Sequence, residues 1–168
     1  MLQEIYESPE PEADDEAGET FVAPTSFAQR RLWLLDNLSP GRATYNVPLA
    51  ARLRGPLRPG TLAAALDEVV ARHETLRTWF VEEEGEPVQV IAQALAIPLP
   101  VVDLEALSPD RRDVELRRQL QGEAERPFDL GRAPLLRALL FRLGEGEHAL
   151  FLNQHHVVTD AWSLGLLV

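Results

Sequence analysis

The sequence of 168 residues contains no cysteine and no lysine. Without cysteine there is no disulfide, no thiolate nucleophile and no zinc–thiolate site. Without lysine, Schiff-base and P-loop lysine chemistry are excluded. No apolar run approaches the roughly twenty residues that a membrane span needs. The acidic N-terminus also lacks the basic start and apolar core of a secretory signal. We therefore expect a cytoplasmic protein with no membrane partner.

Positive charge is scarce and dispersed. The formal net charge is −11, and the sixteen basic residues are all arginines. Residues 1–20 hold eight acidic residues and no basic one, so they account for −8 and leave −3 for residues 21–168. The arginines are scattered, whereas a nucleic-acid site needs a concentrated basic face. The charge pattern therefore predicts no nucleic-acid partner.

The charge asymmetry also indicates how the chain is organised. Residues 1–23 are polar, acidic and proline-bearing, which predicts a disordered leader. The apolar residues Leu2, Ile5 and Tyr6 leave open that this leader docks a partner instead of acting as a solvating linker. Residues 24–168 have the composition of one folded domain with a core of its own.

Helical and strand patterns alternate through that domain. Ser26 and Gln29 have the spacing of a capping box, which predicts a helix start. Two further helices are predicted over residues 60–77 and 108–126. The first follows from its apolar spacing, and the second from the serine cap and proline at its start. Two apolar runs joined by "GEGE" predict a hairpin of central strands over residues 134–156. Gly85 predicts a second hairpin between "LRTWFVEEEG" and "PVQVIAQ", and Pro48 predicts an edge strand or a bulge. The interleaving predicts an α/β class, or α+β with a mixed sheet, in which helices flank the sheet.

The segment "NQHHVVTDAWSLG" (residues 153–165) carries the most specific chemistry. Neighbouring side chains on a strand point to opposite faces, so His155 and His156 cannot share one pocket unless the strand has ended. One imidazole is expected to face a cleft and the other the interior. Asp160 is placed to cap the closing helix. His73 is expected to pack at a helix end, and His148 is expected on the surface of a hairpin. A neutral histidine suits general-base catalysis near pH 7, and two packed imidazoles or a metal site are the alternatives that the residues leave open.

Four stretches together resemble a known family. These are "SFAQRRLWLL" (26–35), "RHETLRTWF" (72–80), "PFDLGRAPLLRALL" (127–140) and "HHVVTDAWS" (155–163). In order and spacing they resemble motifs of the condensation domains of nonribosomal peptide synthetases. The resemblance implies a chloramphenicol-acetyltransferase-like fold with two lobes around a tunnel. Residues 24–168 would be the N-terminal, donor-side lobe, and the C-terminal lobe would be absent.

The resemblance also implies roles for individual residues. His156 would face the tunnel and act as base toward, or position, the attacking amine, and His155 would be its inward-turned partner. Asp160 would be mainly structural, paired to Arg77 as first choice or to Arg72 as second. The lobe would bind no metal and no cofactor of its own. Its substrates would arrive on the phosphopantetheine arms of peptidyl carrier proteins.

Three expectations follow from this resemblance. Ala161 stands where the family motif usually has glycine, and is harmless if it opens a helix with negative φ. The donor carrier is expected to arrive on another polypeptide, because the leader follows a methionine start. The chain alone is expected to be inactive in peptide-bond formation. The alternatives are a stand-alone thioester-dependent acyltransferase and a non-catalytic module that docks a carrier protein.

Overall fold

The computed structural model describes residues 19–159, so Asp160 and Ala161 lie outside the described residues. The strands are β1 (Thr20–Pro24), β2 (Asn46–Arg54), β3 (Thr78–Glu83), β4 (Glu86–Ala92), β5 (Val101–Asp103), β6 (Leu136–Gly144) and β7 (Glu147–His155). The helices are α1 (Phe27–Asn37), α2 (Pro59–Arg72) and α3 (Pro109–Glu125). Two 3₁₀ turns cover Glu74–Arg77 and His156–Val158, and we call the second the histidine turn.

The strands form two sheets, whereas the sequence pattern predicted a single mixed sheet. A small sheet has the order β1–β4–β3 and is antiparallel throughout. A large sheet has the order β2–β7–β6–β5, in which only the β5–β6 pair is parallel. The mixed large sheet and the three helices confirm the predicted class.

A strand lies inside the segment that was predicted to be a disordered leader. Residues 1–23 were expected to be a disordered leader, but Thr20–Pro24 form β1 and pair along their whole length with β4. This pairing satisfies backbone groups of β4 on the side that β3 leaves open. The predicted boundary at residue 23 is therefore wrong by several residues, and residues 1–18 lie outside the described range.

The predicted capping box opens α1. Ser26 Oγ accepts a hydrogen bond from the Gln29 N–H at 3.2 Å, and the Ser26 N–H donates to Gln29 Oε1 at 2.8 Å. Two of the helix's otherwise unpaired N-terminal donors are thereby satisfied. This start sets where the last turn of α1, with Asp36, meets the end of β7.

Both predicted hairpins are present. Glu84 and Gly85 join β3 to β4 with φ values of +53° and +84°, the left-handed pair that a tight two-residue hairpin turn favours. Gly146 has φ +66° between β6 and β7, which occupy the centre of the large sheet. Pro48 lies in β2, an edge strand, as its missing N–H predicts.

The two faces of the β6–β7 hairpin are covered by different helices. On one face Leu66 and Val70 of α2 pack with apolar residues of both strands. On the other face Leu116 of α3 packs with Phe141 and Phe151. Because both faces are buried, the two strands show apolar runs in place of clean alternation.

Asparagine side chains satisfy the C-terminal end of α3. Asn46 donates to the carbonyls of Ala124 and Arg126, each at 2.8 Å. Asn153 of β7 donates to the carbonyl of Glu123 at 2.8 Å. These bonds pair carbonyls that a helix end leaves without intrahelical partners. They also hold the ends of β2 and β7 together, next to the two adjacent histidines.

Candidate active site

The two histidines lie on opposite sides of the point where β7 ends. His155, the last residue of β7, is 1% exposed, whereas His156, the first residue of the histidine turn, is exposed. The expected separation into one inward and one outward imidazole is present, but strand alternation does not account for it, because β7 ends at His155 and His156 lies in the turn that follows. The catalytic role of His156 stays a prediction.

The histidine turn is held by buried side chains and by a backbone hydrogen bond. Val157 and Val158 are buried in an apolar cluster with Phe80, Leu130 and Leu135. The N–H of His156 donates to the carbonyl of Tyr45 at 2.8 Å. An exposed imidazole on a turn fixed in this way has a defined position and open access, as a general base requires.

The imidazole of His155 sits in a tight, mostly aromatic environment. Its Nδ1 accepts a hydrogen bond from the Val157 N–H at 3.2 Å, and its Nε2 lies 3.6 Å from Oδ1 of Asp36. The rings of Tyr45 and Phe128 form T-shaped pairs with it, with centroids 6.0 and 6.3 Å away. Burial, and secondarily the nearby His156, lower the pKa of His155 to about 4. At neutral pH the ring is therefore uncharged, and its contact with Asp36 is not an ion pair.

This burial predicts an acid-sensitive component of stability. An unfolded histidine has a pKa near 6.5, so between about pH 6.5 and pH 4 the unfolded chain binds a proton that the folded chain does not. The contribution is fully present above pH 6.5 and is lost progressively as the pH falls toward 4. We expect this loss of unfolding free energy to reach about 3 kcal/mol. Urea titrations of wild type and His155→Gln from pH 7.5 to 4 measure it, as the change with pH in the difference between their unfolding free energies.

The control for this experiment is His73→Gln, because His73 is exposed at the end of α2. Its unfolding free energy should follow the wild-type pH dependence. Parallel pH profiles for wild type and His155→Gln would contradict a buried neutral imidazole at this position.

The two arginines of the "RHETLRTWF" motif differ in environment. Arg77 is 8% exposed; its Nη1 donates to the carbonyl of Ala92, and its Nη2 lies 3.6 Å from Oε1 of Glu74. Arg72 is exposed and pairs with Glu68 at 2.7 Å. Since Asp160 lies outside the described residues, its pairing with either arginine stays a prediction.

The remaining histidines differ from expectation. His148 was expected on the hairpin surface but is buried, because β7 lies between β2 and β6 and His148 is covered there. His73 was expected to pack at a helix end; it follows the last residue of α2 but is exposed. Within residues 19–159, no group of three or more His, Cys, Asp or Glu is arranged to hold a metal ion. No helix in that range combines the length and apolarity needed to cross a bilayer.

Sequence reasoning missed three residues around His155. Asp36 lies one residue beyond the quoted "SFAQRRLWLL" stretch, Tyr45 precedes β2, and Phe128 lies in the loop after α3. The one available signal was Asp36 itself, an acidic residue in the last turn of a helix, where the helix dipole disfavours it. Nothing in the local sequence of Tyr45 or Phe128 predicts the contact.

A family model for condensation domains matches residues 20–168. The chain belongs to the condensation-domain family. The match begins where β1 begins and takes in every described element of this condensation-domain chain.

Curated relatives are nonribosomal peptide synthetases and related synthases. A linear gramicidin synthase protein of Brevibacillus parabrevis is 45% identical over 145 residues, which are 86% of this chain and 3% of that protein. Phosphinothricin tripeptide synthetase PhsC of Streptomyces viridochromogenes is 47% identical over 144 residues, 86% of this chain and 13% of that protein. The chain thus spans a small part of the curated relatives that it matches.

Solved condensation domains share the fold. The starter condensation domain of rhizomide synthetase RzmA matches with a TM-score of 0.79 at 25% identity, over 87% of this chain and 35% of that one. The first condensation domain of the calcium-dependent antibiotic synthetase, solved with a substrate analogue, matches with a TM-score of 0.77 at 30% identity and the same coverages. The chloramphenicol-acetyltransferase-like fold implied by the motifs is therefore confirmed.

Proposed function

We propose that this chain is the donor-side lobe of a domain that forms peptide bonds between substrates bound to carrier proteins. The observation that carries the proposal is the exposed imidazole of His156 on a turn held by buried neighbours. The family match over residues 20–168 supports it. Coverage of 35% of the solved condensation-domain chains supports a second lobe as the partner that completes the site.

The proposed reaction is aminolysis of a thioester. The acceptor's amine nitrogen attacks the donor's thioester carbon, a C–N bond forms, and the C–S bond breaks. The amine loses one proton and the departing thiolate gains one, so the reaction is balanced without any further reactant. His156 positions the amine or takes its proton and returns it to the thiolate, which leaves the imidazole neutral at the end. The phosphopantetheine arms belong to the carrier-bound substrates, not to this lobe.

His155 has a different part in this proposal. Its ring is buried, neutral and enclosed by aromatic rings, so it supports the turn and does not reach the substrate. Asp160 and Arg77 are proposed as a structural pair behind the turn, with Arg72 as the less suitable partner because it is exposed and paired elsewhere.

The test is a transfer assay with the complete condensation domain that carries this sequence. Donor and acceptor carriers are loaded with a panel of aminoacyl groups, and intact-protein mass spectrometry follows both. We expect the acceptor to gain the donor's acyl mass while the donor returns to its free thiol. Absence of transfer for every pair would contradict the proposal.

Turnover of coenzyme A thioesters with a small amine and no acceptor carrier would identify a stand-alone acyltransferase. Carrier binding without transfer would identify a docking module.

The same assay tests the lobe by itself. We expect the 168-residue chain to give no transfer above the rate without protein, because a site between two lobes loses the positioning of both substrates when one lobe is removed. Positioning of reactants supplies on the order of 10⁵ M or more in effective concentration. Transfer by the isolated chain at a rate near that of the complete domain would contradict the two-lobe proposal.

A further inference from the structure

The hydrogen-bonding state of His155 follows from one contact. A backbone N–H can only donate, so Nδ1 of His155 must present its lone pair to the Val157 N–H 3.2 Å away. A neutral imidazole carries one proton, and burial keeps this ring neutral. The proton of His155 therefore sits on Nε2.

Asp36 is the polar group placed to receive that proton. Its Oδ1 lies 3.6 Å from Nε2, a few tenths of an ångström beyond a direct hydrogen bond. Within residues 19–159, Nε2 has no hydrogen-bond partner. The rings of Tyr45 and Phe128 pack against the imidazole in T-shaped arrangements, and no hydrogen bond joins Nε2 to the Tyr45 hydroxyl.

The location of Asp36 is unfavourable for the helix that carries it. It lies in the last turn of α1, where a negative charge opposes the helix dipole by about 0.3–1 kcal/mol. Its side chain is only 16% exposed, and burial followed by the charge of Asp129 raises its pKa. Neither helix stability nor solvation accounts for a carboxyl group here, whereas contact with the Nε2–H of His155 does.

We propose that Asp36 is a positioning residue for the histidine turn. Its carboxyl oxygen holds the Nε2–H of His155, which keeps Nδ1 free to accept the Val157 N–H, and that bond shapes the turn bearing His156. The proposed contacts thus connect Asp36 in α1, through the His155 ring, to the backbone of the histidine turn. The effect on catalysis rests on the proposed function, whereas the effect on the ring and on the Val157 amide does not.

The direct test is NMR spectroscopy of the 168-residue chain with ¹⁵N-labelled histidine and backbone. Long-range ¹H–¹⁵N spectra report the tautomer of His155, assigned by its loss in His155→Gln, and hydrogen exchange reports the Val157 amide. Asp36→Leu removes the acceptor at similar size, and Asp36→Asn keeps a carbonyl oxygen. We expect exchange at Val157 to rise about tenfold in Asp36→Leu, the equivalent of one lost hydrogen bond. Asp36→Asn should stay within about twofold of wild type on the same scale.

The matched control is Asp129→Asn, which removes the neighbouring charge but not the contact with His155, and should leave both signals unchanged. Wild-type signals in a folded Asp36→Leu chain would overturn the proposal, as would equal loss of protection in Asp36→Asn and Asp36→Leu. Should Asp36→Leu fail to fold, Asp36→Ala removes the same acceptor with less bulk and is judged by the same outcomes.

A second arm uses the complete condensation domain. Asp36→Leu should lower kcat about tenfold and leave KM for the acceptor-loaded carrier within about twofold, because the variant misplaces His156 without touching the substrate. A raised KM with unchanged kcat would overturn the positioning role. If the wild-type domain shows no transfer at all, the proposed function fails, and the NMR result still decides whether Asp36 holds the His155 ring.

Discussion

Replacement of His156 by alanine is expected to slow transfer between carriers by about 10²- to 10⁴-fold, the usual contribution of a positioned general base. The ring is exposed and contributes nothing to the buried clusters, so the free energy of unfolding should change by less than about 0.5 kcal/mol. The backbone bond from the His156 N–H to Tyr45 is kept in the variant. Single-turnover transfer in the complete domain and urea unfolding of the same protein measure the two effects separately.

The control is His73→Ala, which removes another exposed imidazole of the chain at the end of α2. Its transfer rate should match wild type. A His156→Ala domain that transfers at a rate within about twofold of wild type would remove the general-base role, since the smallest expected loss is about 10²-fold. Unchanged carrier binding together with zero transfer in both wild type and variant would favour the docking module.

Local rules were sufficient for most elements. The capping box at Ser26 and Gln29, the tight turn at Gly85 and the hairpin of β6 and β7 depend on a few neighbouring residues, and each is present as predicted. Pro48 predicts an edge strand because proline has no N–H to donate to a neighbouring strand, whatever the sheet. These features need no knowledge of the rest of the fold.

Long-range pairing was beyond those rules. The division into two sheets depends on β1 pairing with β4, from 64 residues away (Pro24 with Val88) to 72 residues away (Thr20 with Ala92), and nothing in "TFVAP" specifies that partner. The burial of His148 depends on strands on both sides of β7. A polar residue beside a turn is predicted to be exposed until its neighbouring strands are known.

The candidate site shows the same contrast between features that local sequence predicts and features that depend on the whole fold. The sequence predicted one inward and one outward imidazole, and the structure has a buried His155 at the end of β7 and an exposed His156 in the turn that follows. Asp36 and the aromatic rings around His155 come from elements distant in the chain, and only the fold brings them together. The motif thus identified the exposed imidazole, and the structure adds the residues that hold the buried one.

Replacement of Arg77 by alanine is expected to cost about 3–5 kcal/mol of unfolding free energy, the range for breaking a buried, hydrogen-bonded charge pair. Arg77 is buried in the turn that precedes β3, and its guanidinium satisfies the carbonyl of Ala92 at the end of β4. Alanine would leave that carbonyl unpaired, a cavity where the side chain lay, and the predicted partner Asp160 without its counter-charge. Urea unfolding at pH 7 measures the loss.

Arg72→Ala is the matched control within the same motif, because Arg72 is exposed and makes a one-turn surface pair with Glu68. Such pairs contribute about 0.3–0.5 kcal/mol, so this variant should be nearly as stable as wild type.

Combining each arginine variant with Asp160→Ala then identifies the partner of Asp160. If Arg77 is the partner, its double variant should lose well under the sum of the two single losses, with a coupling of about 1–3 kcal/mol, while the Arg72 combination is additive. Additivity for Arg77 would refute the predicted pair, and coupling confined to Arg72 would reassign it.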